Sequence, residues 1–140
     1  MIISITGTPG TGKTRVAKEL AKLLNYSYVE LNKVAEEQGL VIGIDPERRS
    51  KIMDTDKFDE IFIKNDSVVD GHLSHLVQAD IIIVLRTRPD ILKKRLSKRR
   101  WRREKVMENV EAEILGVCSS EACETGERIA EVDTTGKRPE

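Results

Sequence analysis

The residues best equipped for chemistry lie near the start of the chain, in the stretch Gly7-Thr8-Pro9-Gly10-Thr11-Gly12-Lys13-Thr14. This stretch matches the phosphate-binding pattern G-x-x-x-x-G-K-[ST] without deviation. Its glycines let the backbone turn its N–H groups toward an anion at the start of a helix. In this pattern Lys13 contacts the β- and γ-phosphates, and the Thr14 hydroxyl binds Mg²⁺. The motif therefore predicts binding of a nucleoside triphosphate, or a compound very like one, together with Mg²⁺.

The neighbouring elements needed to position this loop are also recognisable. Residues 2–6 form a short β-branched run that predicts a buried strand. After the loop, apolar residues recur at helical spacing, namely Val16, Leu20, Leu23 and Leu24. A glycine-rich loop that merely joins a strand to a helix is the alternative, but the strand–loop–helix context favours the phosphate-binding interpretation.

A second set of candidates follows the strand predicted at residues 67–71. Asp70 ends this strand, where an acid can bind Mg²⁺ directly or through water, although Asp-Gly also commonly forms a plain turn. His72 would face the phosphates and could act in general acid–base chemistry. A purely structural hydrogen-bonding role is the alternative for His72 and for His75.

Basic residues are concentrated in one segment, although the chain has 24 basic and 24 acidic residues and no net charge. Residues 86–105 are rich in lysine and arginine, which predicts either a solvated helix surface or a phosphate-handling lid that also contacts RNA. Arg95, Arg99 and Arg103 would share one face of a continuous helix, and we expect at least one to contact phosphate. Trp101 could pack on the core or stack on a base.

Composition indicates a single domain covering residues 1–140. The chain is 39% hydrophobic and 34% charged, and no apolar run approaches the length of a membrane span. Its two cysteines, Cys118 and Cys123, are too few for a zinc site or a disulfide framework, which favours a cytoplasmic location.

The order of predicted elements indicates an α/β fold with about five parallel strands and helices on both faces of the sheet. Strands are predicted at residues 2–6, 28–31, 67–71, 81–85 and 129–133. Helices are predicted after the loop, at 32–38 and 89–100, and along Val106, Val110, Ile114 and Val117. We interpret residues 41–64 as a turn followed by short helices.

Several motifs together resemble the adenylate kinase isoenzyme 6 type, a group of archaeal and nuclear P-loop proteins of the nucleoside monophosphate kinase fold. They are residues 7–14, Val69-Asp70-Gly71-His72, Val84-Leu85-Arg86-Thr87, Arg99-Arg100-Trp101 and the stretch 108–114, Glu-Asn-Val-Glu-Ala-Glu-Ile. The resemblance implies an ATP:AMP phosphotransferase with broad nucleotide tolerance and a side ATPase activity. It also implies a role in maturation of the small ribosomal subunit, with a platform ribosomal protein as partner.

The resemblance assigns roles residue by residue. The ATP phosphates would be surrounded by Gly10, Gly12, Lys13, Thr14 and Arg15. Arg99 would be the lid arginine on ATP, and Asp70 and His72 the pair associated with Mg²⁺ and water. The nucleoside monophosphate segment would cover about residues 30–53 and the lid about 98–108.

Some positions depart from the family pattern. Arg100 stands where relatives usually have glycine. Leu73-Ser74-His75 replaces the arginine with which ordinary adenylate kinases bind the acceptor phosphate, so recognition must come from elsewhere, with Arg48 or Arg49 as candidates. Pro139-Glu140 favours the opening of a helix, so we expect the natural chain to continue. An assembly ATPase and a small-metabolite kinase remain alternative functions.

Overall fold

The structure, a computed structural model, describes residues 1–46, 50–124 and 128–135. In chain order the elements are β1 Ile2–Gly7, α1 Lys13–Leu24, β2 Ser27–Glu30, α2 Leu31–Glu37, β3 Val41–Asp45, β4 Ser50–Met53, β5 Ser67–Asp70, β6 Ile81–Arg86, α3 Pro89–Ser97, α4 Arg103–Leu115, α5 Val117–Glu124 and β7 Arg128–Asp133. Five strands pair in the order β2-β5-β1-β6-β7, and every pairing is parallel. The predicted five-stranded parallel α/β fold is confirmed.

Successive side chains of each strand point to opposite faces of the sheet, and both faces are apolar. Helices therefore cover both of them. On one face Ile5, Val68 and Leu85 pack against Ala17 and Ala21 of α1. The opposite face packs against α2 and a 3-10 helix at Thr55–Glu60 around Leu31, Phe58 and Val69, and against α5 around Ile82, Val84 and Ala122. This arrangement brings the carboxyl ends of the parallel strands, and the loops that follow them, to one edge of the sheet.

Residues 41–53 differ from the prediction of a turn with short helices. Strands β3 and β4 form a separate antiparallel pair with an irregularity between Val41 and Gly43. The side chains of Ile42, Ile44 and Ile52 are exposed, and such β-branched residues favour extended backbone. A helix over this stretch was therefore the wrong prediction, although the 3-10 helix after it is present.

The helix predicted over residues 89–100 stops early. Helix α3 ends at Ser97, and α4 begins at Arg103 after a turn in which Arg100 has a left-handed φ of 59°. This conformation is unfavourable for a side chain with Cβ, and glycine adopts it freely. Arg95, Arg99 and Arg103 consequently lie on separate elements, so the prediction of one shared helix face is wrong.

The apolar faces predicted for two helices are corrected in part. In α4, Val106 and Val110 are buried as predicted, but Ile114 is exposed and Glu113 takes the inward position. Ile114 comes eight residues after Val106, which turns its side chain about 80° away from the buried face of the helix. Glu113 comes seven residues after Val106, which keeps it on that face. In α1, Leu23 is exposed and the smaller alanines face the sheet. Within the described ranges no helix is long and apolar enough to cross a membrane.

Candidate functional site

The loop between β1 and α1 has the backbone shape of an anion cradle. Gly12 is the N-cap of α1 and has a φ of 93°. No side chain caps this helix start, so the N–H groups of its first turn remain available to an anion. Gly10 also has a φ of 93°, and a Cβ at this position would lie 2.8 Å from Leu92 Cδ1 of α3. Glycine is thus required at position 10 both for its conformation and for its closeness to α3.

Lys13 is the first residue of α1 and its side chain folds back over the loop. Its Nζ donates to the Thr8 carbonyl oxygen at 3.2 Å. Burial lowers the pKa of Lys13 to about 8, and the Asp70 carboxylate partly opposes this shift. A phosphate in the cradle would favour the charged ammonium, as the motif predicts.

Asp70 ends β5 beside the loop, as the sequence predicts. Its Oδ2 accepts hydrogen bonds from Thr14 Oγ1 at 2.8 Å and from the Tyr28 hydroxyl at 2.6 Å. Burial and the bond to Asp70 raise the pKa of Tyr28, which therefore remains a donor. Sequence reasoning missed Tyr28, because its role depends on β2 lying next to β5 in the sheet.

The chemistry of these groups fits a magnesium ion. Thr14 and Asp70 supply a hydroxyl and a carboxylate oxygen, the hard donors that Mg²⁺ prefers. No cluster of three or more His, Cys, Asp or Glu side chains suited to a metal occurs in the described part of the chain. One carboxylate with substrate phosphates is the usual arrangement for Mg²⁺ at kinase sites, so a larger protein cage is not needed.

Tyr28 gives the first testable expectation. Replacing Tyr28 with Phe removes one of the two donors that orient Asp70, which should lower the affinity for magnesium-bound ATP about tenfold. Loss of the hydrogen bond should also lower the free energy of unfolding by about 1 kcal/mol. Titration calorimetry with ATP at several Mg²⁺ concentrations measures the first effect. Tyr26→Phe is the matched control, and an unchanged Mg²⁺ dependence in Tyr28→Phe would argue against this role.

The two histidines have different environments. His72 lines the cleft beside the loop, as predicted, whereas the His75 side chain is fully buried. His75 Nδ1 is 2.6 Å from Thr6 Oγ1, and its Nε2 is 2.6 Å from Glu121 Oε2. His75 thus has the structural hydrogen-bonding role that was the alternative for both residues.

The pKa of His72 is lowered to about 4, by desolvation first and by the Lys13 ammonium second. The side chain is still exposed in the open cleft, so the Lys13 charge is the firmer cause. His72 is therefore neutral at physiological pH. Because the unfolded chain takes up this proton near pH 6.5, His72 makes the fold more stable as pH rises from about 4 to 6.5.

Proton NMR can check this assignment, because the chain has only two histidines. We expect the His72 ring to titrate with a midpoint near pH 4. The midpoint should rise in Lys13→Met and stay unchanged in Lys22→Met, which removes a lysine at the far end of α1. A wild-type midpoint between pH 6 and 7 would contradict the proposed influence of Lys13.

A buried carboxylate behind the loop was not identified from the sequence as a site residue. Glu113 of α4 accepts from Thr8 Oγ1 at 3.0 Å and from the Thr87 backbone N–H at 2.7 Å. Arg86 Nε donates to the same carboxylate at 3.2 Å, and Arg86 Nη2 donates to the Glu113 carbonyl at 2.8 Å. Glu113 thereby connects α4 to the phosphate-binding loop and to the end of β6. The sequence did carry one signal for Glu113, because helical spacing places this acidic residue on the same face as the apolar Val106 and Val110.

The arginines predicted to contact phosphate have different environments. Arg95 donates to the backbone carbonyls of Gly10, at 3.2 Å, and Thr134, at 3.0 Å, so it supports the loop from behind. Arg99 faces the cleft, with its guanidinium carbon 5.5 Å from the Trp101 ring centroid. Trp101 packs against the buried cluster of α3 and α4, as one of the two predictions for it proposed.

Two cavities meet at the loop. The first, of about 580 Å³, lies along α1 beside β7, and among its lining residues are Gly12, Arg15 and Leu20. The second, of about 590 Å³, includes Lys13, Asp70 and His72. Gly10 and Arg99 line both cavities. The candidates Arg48 and Arg49, and the residues Pro139 and Glu140, lie outside the described residues.

The fold and this loop define a P-loop protein of kinase-type architecture. Solved structures with the same fold include a gluconokinase from Sinorhizobium meliloti, with a TM-score of 0.56 and 15% identity over 94% of this chain and 81% of that one. A shikimate kinase from Bacteroides thetaiotaomicron has a TM-score of 0.51 and 16% identity, over 96% and 86%. At these identities the likeness shows the fold alone.

Sequence comparison shows the family. A family described as an AAA domain matches residues 3–116. Archaeal relatives named "putative adenylate kinase" include proteins from Thermococcus gammatolerans, 48% identical over 100% of this chain and 80% of that protein, and Methanocaldococcus jannaschii, 41% identical over 98% and 78%. The chain belongs to this archaeal adenylate kinase family.

Proposed function

We propose that this protein is an adenylate kinase of the isoenzyme 6 type, which transfers the γ-phosphoryl group of ATP to AMP. The observation that carries the proposal is the pair of cavities joined at the phosphate-binding loop, with Gly10 and Arg99 common to both. A phosphoryl transferase needs a donor site and an acceptor site that meet where the group migrates. The first cavity suits the ATP nucleoside, and the second suits the acceptor.

In the proposed reaction an oxygen of the AMP phosphate attacks the γ-phosphorus of ATP. The new P–O bond forms as the bond to the β–γ bridging oxygen breaks, so the products are two molecules of ADP. Catalysis of this step depends mainly on positioning and on stabilising charge. The loop N–H groups, with Arg15 beside them, bind the donor phosphates, and Lys13 and Arg99 stabilise the negative charge of the migrating group.

Thr14 and Asp70 are the residues that would bind magnesium, oriented by the Tyr28 hydroxyl. The ion, when bound, neutralises charge on the triphosphate. His72, neutral at physiological pH, can accept a hydrogen bond from a water molecule in the second cavity.

The predicted nucleoside monophosphate segment and the predicted lid enter this proposal through the walls of the second cavity. Glu30, Asn32 and Lys51 come from the nucleoside monophosphate segment, residues 30–53. Arg99 and Trp101 come from the lid, residues 98–108. Closure of these two segments over bound nucleotides would exclude water from the reacting phosphates.

An acceptor screen tests the proposal. Formation of ADP from ATP is measured with AMP, with other nucleoside monophosphates, and with small hydroxy acceptors such as gluconate and shikimate. We expect AMP to give the highest rate and other monophosphates lower ones. A hydroxy acid that exceeds AMP would instead favour a small-metabolite kinase, the function of the structural neighbours.

ATP hydrolysis is the second candidate function, favoured by the neutral His72 in the cleft next to Lys13. It could be a side activity or the main one of an assembly ATPase. Phosphate release from ATP without an acceptor distinguishes the two candidates. If AMP leaves turnover unchanged while a small-subunit ribosomal protein stimulates it, the assembly ATPase is the better account.

The proposed partners rest on the family resemblance and on the surface charge of the lid region. Within residues 86–105, Arg86 pairs with Glu113 and Glu131, and Arg88 with Asp90, which leaves fewer cations for RNA than the sequence suggests. Other exposed basic residues of this segment are Lys93, Lys94, Lys98, Arg99, Arg100 and Arg103. RNA binding that weakens steeply with salt would support this contact.

A cytoplasmic location agrees with the free thiols of Cys118 and Cys123.

A further inference from the structure

One wall of the second cavity is formed by the first turns of α4 and by Trp101, which precedes this helix. Lys105 and Asn109 are four residues apart, so they share one face of α4, and both line the cavity with Trp101. Asn109 Nδ2 donates to the Lys105 carbonyl oxygen at 2.7 Å. Residues of α2 and β4, including Glu36 and Lys51, also line this cavity.

Lys105 differs in its partner from Lys51, another lysine that lines this cavity. Lys51 Nζ is 2.6 Å from the Glu36 carboxylate, so its charge is already compensated. Lys105 Nζ instead lies 4.0 Å from the Trp101 ring centroid. Among the described residues, no carboxylate forms an ion pair with Lys105. An ammonium resting on an aromatic face remains available to an anion, because a charge-assisted bond to phosphate is stronger than a cation–π contact.

Lys105 also shares the second cavity with residues of the phosphate-binding loop. Lys13, Arg99 and Lys105 all line this cavity and bring three cations toward the same space. In the proposed reaction Lys13 and Arg99 contact the donor phosphates, so Lys105 is the cation that is left to bind a second anion.

We propose that Lys105, oriented by Trp101, binds the phosphate of the acceptor, a nucleoside monophosphate, in the second cavity. The inference rests on the proposed function and deepens it, because it supplies a cation for the acceptor phosphate from within the described residues. Binding moves the Lys105 ammonium from the indole ring to the phosphate. Trp101 is the only tryptophan of the chain, so its fluorescence reports this exchange of partners.

The experiment titrates the full chain with AMP and with adenosine, and follows Trp101 fluorescence together with binding heat. For the unmodified protein we expect a saturable response to AMP and much weaker binding of adenosine, which lacks the phosphate. In Lys105→Met the affinity for AMP should fall at least tenfold, while the affinity for ATP stays within about twofold, because the ATP cavity does not include Lys105. Lys105→Arg, which keeps the charge, should retain most of the affinity.

Lys94→Met is the matched control, since it removes the same charge from an exposed position on α3 and should leave both affinities unchanged. If Lys105→Met binds AMP as tightly as the unmodified protein, Lys105 does not bind the acceptor phosphate and the inference is overturned. Equal losses of ATP and AMP affinity, not restored by Lys105→Arg, also overturn it by showing a structural role. If the unmodified protein binds ATP but no monophosphate, the proposed function itself fails, and the inference fails with it.

Discussion

Replacing Lys13 with Ala is expected to lower both ATP-dependent phosphoryl transfer and ATP hydrolysis by at least about 100-fold, the effect of removing one preorganised charge donor from an active site. In the proposed reaction Lys13 contacts the β- and γ-phosphates, and its Nζ lies over the loop at 3.2 Å from the Thr8 carbonyl oxygen. Its ammonium is partly desolvated, so its interaction with a phosphate is stronger than in water.

The fold should survive this change, because removing a desolvated ammonium relieves a burial cost. Steady-state rates with ATP, with and without AMP, measure the effect, and thermal unfolding verifies that the variant is folded. Lys22→Ala, on the last turn of the same helix, is the control and should keep the rates of the unmodified protein. A folded Lys13→Ala variant with near-normal rates would refute the role of Lys13 in the reaction.

Replacing Glu113 with Ala is expected to have the largest effect on stability. Its carboxylate is 2% exposed and satisfies donors from Thr8, Arg86 and Thr87. Removing it leaves two buried donors, the Thr8 hydroxyl and the Thr87 N–H, without this acceptor and breaks the ion pair with the partly exposed Arg86, at a cost of about 3–5 kcal/mol. Single domains are stable by only about 5–15 kcal/mol, so this is a large fraction of the total.

Chemical unfolding of both proteins measures this difference, and Glu113→Gln, which keeps the volume, should lie between them. Glu131→Gln is the matched control because Glu131 also pairs with Arg86, at 3.2 Å, but from a position that is 52% exposed. Exposed pairs contribute about 0–1 kcal/mol. Equal losses of stability in Glu113→Ala and Glu131→Gln would contradict the large contribution to stability that is expected from the buried carboxylate.

The features that the sequence predicts correctly depend on local pattern. The phosphate-binding loop needs only its own glycines, lysine and threonine between a strand and a helix. The strands β1 and β5 are almost entirely buried, and β6 is a nearly continuous apolar run, so their positions and the place of Asp70 at a strand end follow from hydrophobicity. The sheet edge at which the candidate phosphate-binding loop and Asp70 lie was predictable for this reason.

The features that the sequence did not predict depend on tertiary arrangement. The bond between Tyr28 and Asp70 requires knowing that β2 and β5 are neighbours. The break between α3 and α4 occurs at Arg100, a residue whose type does not favour a left-handed turn. Glu113 faces inward because Arg86 and Thr87 supply donors there, and a helical hydrophobic pattern alone does not reveal such partners.

The measurement that tests the central claim most directly follows the labelled γ-phosphoryl group of ATP in the presence of AMP and Mg²⁺. If the two cavities at the loop are donor and acceptor sites, the label appears in the β-position of newly formed ADP, and it does so only when AMP is present. Label found in inorganic phosphate alone, at a rate that AMP does not change, would contradict the account.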